Sequence, residues 1–395
     1  MLSERITESM TNSSWIRAMF EEGEKLRAIH GNENVFDFSL GNPDVAPPKA
    51  VIDAFKKYAM DETPGLHRYM SNAGFMDVRE AVAQYQQKES GVPLKGDHII
   101  MTCGAAGGLN VVLRTIIDPG DEVIVLSPYF VEYLFYVDNF SGKVVIVNTS
   151  PEDFQLDLQE LDKHITPRTK AVILNSPHNP TGVIYTEKSL RQMADLLQRK
   201  EKEYGKPIYV LSDEPYSKLI YDGAVLPQIL QIFRNSFVVT SFSKTLSLPG
   251  ERIGYIAVHP EMDYCSQMIG GIIFCNRILG FINAPALQQK AIADSLNAVV
   301  DVEQYQERRD FIYSNLTRIG FSCMKPEGTF YLFPKTLIPD DLKFVETALK
   351  HNILMTPGRG FGWPGYARLS FCVSLDMIKR SIPAFEALAA EVLGK

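Results

Sequence analysis

Residues 170–212 read KAVILNSPHNPTGVIYTEKSLRQMADLLQRKEKEYGKPIYVLS, and their pattern predicts the architecture of the chain. Short β-branched runs lie at the two ends, at 170–175 and 207–212. The segment Glu187–Tyr204 between them is amphipathic, and Gly205 after it favours a helix end. Its apolar residues share one helical face: Leu190, Met193, Ala194 and Leu197. A strand, a crossover helix and a second strand predict two parallel strands of one sheet.

The same alternation of strand and helix runs through the middle of the chain. The predicted strands are 98–102, 122–126, 143–147, 170–175, 207–212, 237–241 and 253–258. These runs predict an α/β fold with a mostly parallel, seven-stranded sheet that is sandwiched by helices.

A second, smaller α+β domain is predicted from the last third of the sequence. The pattern changes there to long charged helical stretches, with short strands around 329–334 and 367–373. The N-terminal arm has no strand partner nearby in sequence, so we expect it to join this domain. The predicted division is a large domain at 45–282 and a small domain made of 1–44 and 283–395.

Length, composition and charge indicate a protein that acts on small molecules. The 395 residues are 45% apolar and 22% charged, with a formal net charge of -7. Nucleic acids and anionic membranes need clustered Lys and Arg, which this balance disfavours. Neither a signal peptide nor an apolar membrane span of about 18 residues is visible, so we expect a cytoplasmic protein. The five cysteines form no C-x-x-C pair, so no metal site is predicted.

Lys244, in the segment SFSKTLSLPGERIGY at 241–255, directly follows a predicted strand. A lysine at a strand end of a mostly apolar sheet is poorly solvated, which lowers its pKa and makes the neutral amine available as a nucleophile. Imine chemistry needs such an amine. Taken alone, Lys244 also fits an ordinary surface lysine in a loop.

Two groups of residues predict a binding site for a phosphate. Ser241, Ser243 and Arg252 offer hydroxyl donors and a positively charged fork near one strand end. The segment TCGAAGGLN joins a strand to a helix, where the N–H groups of Ala105 and Ala106 and the helix dipole attract an anion. It does not match G-x-G-x-x-G, which disfavours a dinucleotide cofactor. Singly, these features also fit a salt bridge and a tight turn.

Residues near other strand ends suit a heteroaromatic ring. Asp213 follows a buried strand, where a carboxylate is costly unless it meets a cation such as a protonated pyridine nitrogen. Asn179 and Tyr216 can hydrogen-bond a phenolate oxygen on such a ring, and Phe130 can stack on its face. Singly, Asp213 also fits a helix N-cap, Asn179 a turn residue and Phe130 a core residue.

The order of these motifs resembles that of the class I/II aminotransferases, fold type I enzymes that depend on pyridoxal 5'-phosphate (PLP) and are related to aspartate aminotransferase. The resemblance runs from SLGNPD at 39–44 to YARLSF at 366–371 and covers nearly the whole chain. It implies a fold type I PLP-dependent transferase that moves an amino group between an L-amino acid and a 2-oxo acid.

The resemblance also implies a role for each matching residue. Lys244 would hold the cofactor as a Schiff base and then move protons, while Asp213 would pair with the pyridine nitrogen. Asn179 and Tyr216 would bond the ring oxygen, and Phe130 would stack on the ring. The phosphate is assigned to Ala105, Ala106, Ser241 and Arg252, with Ser243 beside them.

Substrate and subunit contacts follow from the same resemblance. Arg368 matches the arginine that clamps the substrate α-carboxylate, with Gly41 and Asn179 close by. A structural salt bridge of the small domain is the alternative for Arg368. Tyr69 matches a tyrosine that reaches the phosphate of the neighbouring subunit, which implies a homodimer with shared active sites.

The sequence departs from aspartate-preferring members in one place. Those members use a second arginine, from the partner subunit, to recognise a side-chain carboxylate just ahead of an Asn-Pro turn. In FCNRILGFINAP the nearest position is Ile278, with Arg277 beside it. Arg277 either takes this role or makes an ordinary surface or interface salt bridge. A preference for dicarboxylates is therefore not predicted, and aromatic or neutral amino acids remain alternatives.

Three other functions fit parts of the pattern. The run SFSK also matches S-x-x-K of serine acyl transferases, but the accompanying S-D-N and K-T-G motifs are not found. A non-catalytic PLP-binding effector module is disfavoured because every catalytic position is filled. A PLP-dependent lyase on the same scaffold, of the cysteine-conjugate β-lyase type, is the alternative that sequence separates least well.

Overall fold

The computed structural model describes residues 2–4, 6–7, 10 and 14–394. Its strands are β1 (Phe36–Asp37), β2 (Ile99–Thr102), β3 (Glu122–Ser127), β4 (Lys143–Asn148), β5 (Thr169–Asn175), β6 (Tyr209–Asp213), β7 (Ser236–Ser241), β8 (Gly254–Val258), β9 (Tyr331–Leu332), β10 (Ile353–Leu354), β11 (Thr356–Pro357) and β12 (Ala367–Ser370).

The helices connect and cover these strands. They are α1 (Ser14–His30), α2 (Lys49–Ala59), α3 (Met76–Ser90), α4 (Gly104–Ile116), α5 (Glu132–Asp138), α6 (Leu158–His164), α7 (Glu187–Tyr204), α8 (Ile229–Ile232), α9 (Phe242–Thr245), α10 (Cys265–Ile278), α11 (Ala286–Ala293), α12 (Val302–Ile319), α13 (Asp341–Lys350) and α14 (Leu375–Leu393). None of the helices in the described residues combines the length and apolar character that crossing a membrane requires.

The central sheet has seven strands in the order β2-β8-β7-β6-β5-β3-β4. Strand β8 runs antiparallel to both of its neighbours, and the remaining pairs are parallel. All seven predicted strands are present with small shifts at their ends. Strand β6 begins at Tyr209 rather than at Pro207, because proline has no N–H to donate to a ladder. The predicted α/β sheet is confirmed.

Helices bury apolar side chains on both faces of this sheet. Neighbouring residues of β7 point to opposite sides, so Val238 lies in one core and Val239 in the other. Helix α7 covers the first face with Leu190 and Met193, while Leu109 of α4 covers the second. Helix α7 has the predicted bounds and ends at Gly205, whose φ of 67° is left-handed.

Two smaller sheets are built mainly from the C-terminal third of the chain, and one of them includes a strand of the N-terminal arm. Strand β1 of the arm pairs in parallel with β10, and β12 lies between β11 and β9 in an antiparallel sheet. Their core contains aromatic residues such as Phe330, Phe371 and Phe385. The pairing of β1 with β10 supports the expected association of the arm with the C-terminal residues.

The predicted domain boundary stays a proposal, and one set of contacts favours moving it. Ala284, Ile292 and Leu296 lie after residue 282, but they belong to the core of the central sheet. In the C-terminal part of the chain, Val300 is the first residue that belongs to the core of the smaller sheets. A boundary near Val300 therefore fits the packing better than one at 282.

Candidate active site

A cavity of about 190 Å³ lies at the edge where the central strands of the large sheet end. Parallel strands present their carboxyl ends at one edge, and Asn175 of β5 is in register with Asp213 of β6 there. Every predicted cofactor residue except Tyr69 lines this cavity: Ala105, Ala106, Phe130, Asn179, Asp213, Tyr216, Ser241, Ser243, Lys244 and Arg252. The structure thus brings together motifs that span almost 150 residues of sequence.

Asp213 is buried at the end of β6 with one carboxylate oxygen satisfied. Tyr133 donates a hydrogen bond to it, with 2.6 Å between Tyr133 Oη and Asp213 Oδ2. Oδ1 is buried without a hydrogen-bond partner among the described residues. Burial raises the pKa of Asp213 to about 7, against the lowering effect of the Tyr133 hydroxyl. A carboxylate held in this way fits a cationic nitrogen of a ligand.

Lys244 lies in the short helix α9, directly after β7. Its Nζ donates a hydrogen bond to the carbonyl oxygen of Gly41 at 2.7 Å. Burial lowers the pKa of Lys244 to about 8, and the nearby Arg368 and Arg252 guanidinium groups lower it further. A substantial fraction of this amine is therefore neutral near physiological pH, as a nucleophile requires.

The N-terminus of α4 and Arg252 form a positively polarised wall of the cavity. Ala105 and Ala106 lie in the first turn of this helix, whose N–H groups have no partner within the helix. A Cβ on Gly104 would lie 2.8 Å from Arg252 Nη2, so glycine permits the guanidinium to approach the helix end. Both Gly104 and Arg252 have left-handed φ angles, of 75° and 51°. The geometry fits the phosphate of PLP.

Asn179 and Tyr216 are each held by a hydrogen bond beside the cavity. The backbone N–H of Asn179 donates to Asn175 Oδ1 at 2.8 Å, which holds the turn after β5. The Tyr216 hydroxyl lies 3.1 Å from the hydroxyl of Tyr331. Phe130 packs edge-on against Tyr133, with 5.5 Å between ring centroids. Asn179, Tyr216 and Phe130, the three residues predicted to contact the cofactor ring, all line the same cavity.

Arg368 is buried on β12 and is linked to the cavity through Asn179. Its Nη1 donates to Asn179 Oδ1 at 3.1 Å, and its Nη2 donates to the Ser39 carbonyl at 2.8 Å. The guanidinium carbon lies 4.5 Å from the Tyr331 ring centroid and 4.7 Å from that of Phe361. Nε has no hydrogen-bond partner among the described residues. No acidic side chain forms an ion pair with this guanidinium in the described chain, which disfavours the structural salt bridge.

Tyr69 is the predicted cofactor residue that the fold does not bring to Lys244. Its side chain is 90% exposed and borders a separate surface pocket with Arg68 and Asn283. Arg277 and Ile278 also lie outside the cavity, near the end of α10. The Arg277 guanidinium is 5.2 Å from the Phe274 ring centroid. Within one chain, neither Tyr69 nor Arg277 reaches the site.

Several residues of the site were missed by the sequence analysis. Tyr133 bonds Asp213, and Asn175 Nδ2 donates to the Asp213 carbonyl at 2.8 Å. Tyr133 follows Phe130 by three residues, a spacing that places both on one side of a helical turn and that signals its position. Tyr331 comes from the small sheet, and no local pattern pointed to it.

Comparisons with known proteins agree with this arrangement. A family model described as aminotransferase class I and II matches residues 33–385. The chain is 32% identical to the probable aspartate aminotransferase of Methanocaldococcus jannaschii, over 88% of this chain and 91% of that protein. It is 30% identical to aromatic-amino-acid aminotransferase 2 of Thermococcus litoralis, over 99% of this chain and 98% of that protein. The crystal structure of an amino transferase from Eubacterium rectale superimposes with a TM-score of 0.95 at 40% identity, covering 99% of each chain.

The resemblance inferred from the motifs is confirmed by these matches. The predicted fold type I architecture is confirmed by the solved structures, and the cofactor of the family is PLP. The chain belongs to the class I and II aminotransferases and is a PLP-dependent aminotransferase.

Proposed function

We propose that the cavity around Lys244 is the active site and that Lys244, Asp213 and Tyr216 are its catalytic residues. One observation carries this assignment: Asp213, with a buried oxygen that has no partner among the described residues, lines the same cavity as the half-buried amine of Lys244. When bound, PLP supplies an aldehyde carbon that captures amines and a protonated ring that accepts electrons.

The chain's own residues would hold this group at both ends. Asp213 Oδ1 accepts from the ring nitrogen and keeps it protonated, because a buried carboxylate stabilises a neighbouring cation. Asn179 and Tyr216 hydrogen-bond the ring oxygen, and Phe130 stacks on the ring face. The phosphate binds the N-terminus of α4 and the side chains beyond β7, which are Ser241, Ser243 and Arg252.

Lys244 would move the proton on which amino transfer depends. Its neutral amine would take the proton from the substrate α-carbon and deliver it to the former aldehyde carbon of PLP, which completes the 1,3-proton shift. The lowered pKa supplies that form near pH 8. Arg368 would bind the substrate α-carboxylate, with Gly41 and Asn179 beside it. The bonds from its two Nη atoms to Asn179 and Ser39 keep this guanidinium in a fixed orientation. Its Nε, which has no partner among the described residues, stays available to a ligand.

A homodimer with shared active sites would explain Tyr69. The exposed Tyr69 cannot serve the cavity of its own chain, but family resemblance assigns it to the phosphate of a neighbouring subunit. A two-fold axis makes this exchange reciprocal. The cytoplasmic location expected from the sequence also remains a proposal.

A half-reaction screen tests the proposed reaction. Purified protein loaded with PLP is mixed with single L-amino acids, and its visible absorbance is followed for conversion to the pyridoxamine form. We expect conversion together with release of the matching 2-oxo acid. Ammonia and pyruvate released from a cysteine conjugate, with the visible band retained, would identify a lyase instead.

A further inference from the structure

Tyr331 contacts three parts of the proposed site from the small sheet. It is a buried residue of β9, and its hydroxyl lies 3.1 Å from that of Tyr216. Its ring lies 4.5 Å from the guanidinium carbon of Arg368. A side chain on Gly41 would overlap the Tyr331 hydroxyl, so the arm passes directly against it. Tyr331 therefore joins the cofactor end of the cavity to the Arg368 end.

Core packing alone does not account for a tyrosine at this position. The ring packs edge-on against Phe330, with 5.0 Å between centroids, and against Tyr216, with 5.8 Å. Phenylalanine would fill nearly the same space without a hydroxyl to satisfy. A buried hydroxyl is costly unless it is hydrogen-bonded, and here its partner is a tyrosine that lines the cavity.

The direction of the bond between the two tyrosines follows from counting protons. A tyrosine hydroxyl has one proton to donate and can accept as well. If Tyr216 donates its proton to the cofactor's ring oxygen, as the proposed function requires, Tyr331 must be the donor in the 3.1 Å bond. A hydroxyl that accepts one hydrogen bond becomes a stronger donor in the next.

We propose that Tyr331 is a positioning residue with two separable parts. Its hydroxyl orients and polarises Tyr216 toward the cofactor, and its ring supports the guanidinium of Arg368 for the substrate carboxylate. The inference rests on the proposed function, because it assigns Tyr216 to the ring oxygen and Arg368 to the α-carboxylate.

Three variants separate the two parts. Tyr331→Phe removes the hydroxyl and keeps the ring, whereas Tyr331→Leu removes both. Tyr305→Phe is the matched control, because Tyr305 is another buried tyrosine of the same core and packs on Phe330 at 5.7 Å. Among the described residues its ring lies beside the Arg308 guanidinium rather than that of Arg368. PLP content and thermal unfolding are measured for each purified variant.

The first readout is the pH titration of the visible absorbance of the PLP-loaded protein. Donation to the ring oxygen stabilises its anionic form, so a weaker donor leaves the chromophore protonated to higher pH. We expect the midpoint in Tyr331→Phe to rise by roughly 0.5 pH unit or more, as for loss of one hydrogen bond. Tyr305→Phe should titrate like the wild type.

The second readout is the division between kcat and KM for the amino acid found in the half-reaction screen. Tyr331→Phe should lower kcat and change KM less than about two-fold, because the cation–π contact with Arg368 is kept. Tyr331→Leu should also raise KM roughly tenfold, since that contact is lost.

Four outcomes would overturn the inference. An unshifted midpoint in Tyr331→Phe contradicts the role of the hydroxyl, as does a visible band that titrates in neither the wild type nor Tyr331→Phe. An equal shift in Tyr305→Phe would make the effect one of core packing. An equal rise of KM in Tyr331→Phe and Tyr331→Leu contradicts the role of the ring. A wild-type protein without a PLP-dependent visible band would instead contradict the proposed function itself.

Discussion

The hydroxyl of Tyr133 donates a hydrogen bond to Asp213, with 2.6 Å between Tyr133 Oη and Asp213 Oδ2. The bond satisfies one carboxylate oxygen and leaves the other, Oδ1, buried and free of any partner in the described chain. Because the N–H of a protonated ring would complete this carboxylate, the pair defines where a cationic nitrogen should bind. Asp213 and Tyr133 can therefore be tested separately.

Replacing Asp213 by Asn should weaken catalysis much more than removing its hydrogen-bond donor. Asp213→Asn removes the negative charge that keeps the ring nitrogen protonated, and we expect a loss of about 3 kcal/mol or more in transition-state stabilisation. Tyr133→Phe keeps the charge and should cost about 1 kcal/mol. Steady-state kcat/KM measures both. Near wild-type turnover by Asp213→Asn, or equal losses in the two variants, would contradict the assignment.

The same substitution should change how the stability of the cofactor-free protein depends on pH. The folded-state pKa of Asp213 is about 7, above the usual value of 3.8. Between these values the folded state binds the proton more tightly, so its stability falls as the pH rises. Asn does not titrate, and we expect Asp213→Asn to gain roughly 2–4 kcal/mol relative to wild type on going from pH 5 to pH 8.

Urea unfolding at the two pH values measures this difference. Glu214, whose pKa burial also raises to about 7, is retained in both proteins. The Asp213 charge raises that pKa as well, so its removal changes the Glu214 contribution in the same direction as the expected gain. A difference between variant and wild type that is the same at pH 5 and pH 8 would mean that Asp213 does not titrate in this range.

Lys244→Ala should abolish turnover while leaving the phosphate site intact. The cavity wall that includes Ala105 and Arg252 does not depend on this side chain, so PLP should still bind, although with lower affinity. Borohydride reduction of the loaded wild type followed by peptide mapping should label Lys244. Lys218→Ala is the control and should keep turnover, because Lys218 pairs with Glu89 at 2.5 Å and does not line this cavity. Label on any lysine other than Lys244 would rule out the assignment.

Arg368→Leu should reduce activity toward amino acids far more than toward the corresponding simple amines. Without the guanidinium a bound α-carboxylate is buried and unpaired, and discrimination by about 3 kcal/mol should be lost. Arg368→Lys should recover little, because the compact ammonium lacks the planar fork whose separate nitrogens bond Asn179 and Ser39 and still leave a donor for a carboxylate. Half-reaction rates of the wild type and the variants, measured with an amino acid and its matched amine, test this prediction. Equal losses for both substrates would show a purely structural role.

Mixed dimers should regain activity if Tyr69 serves the neighbouring subunit. Lys244→Ala and Tyr69→Glu homodimers should each be nearly inactive, the latter because a carboxylate repels the phosphate dianion. In a hybrid, one site carries both lesions and the other combines an intact Lys244 with an intact Tyr69. Random mixing of equal amounts should restore at most roughly a quarter of wild-type activity.

Differently tagged chains verify that subunits have exchanged before activity is assayed. Exchange without any return of activity would mean that Tyr69 acts within its own chain or that the glutamate disrupts the interface. Size-exclusion chromatography of Tyr69→Glu alone distinguishes these cases, since a disrupted interface yields monomers.

Local sequence pattern determined the central sheet and much of the site that lies along its edge. Strand and helix periods repeat over a few residues, so the bounds of α7 and the seven strands could be predicted. Asp213 and Lys244 each follow a predicted strand, and because parallel strands end at one edge of a sheet, the two residues line one cavity there. The family resemblance added the roles of these residues and the arginine at position 368.

Only the tertiary structure decided which groups hydrogen-bond to the residues of the site. The Gly41 carbonyl accepts from Lys244, and Tyr331 meets Tyr216, across separations of 203 and 115 residues. No periodic pattern encodes such pairs, because they depend on how the small sheets and the arm pack against the large one. The same holds for Tyr69, whose exposure in one chain follows from the fold and from nothing in its neighbouring sequence. The sequence by itself thus placed the chemistry at strand ends, and long-range packing oriented it.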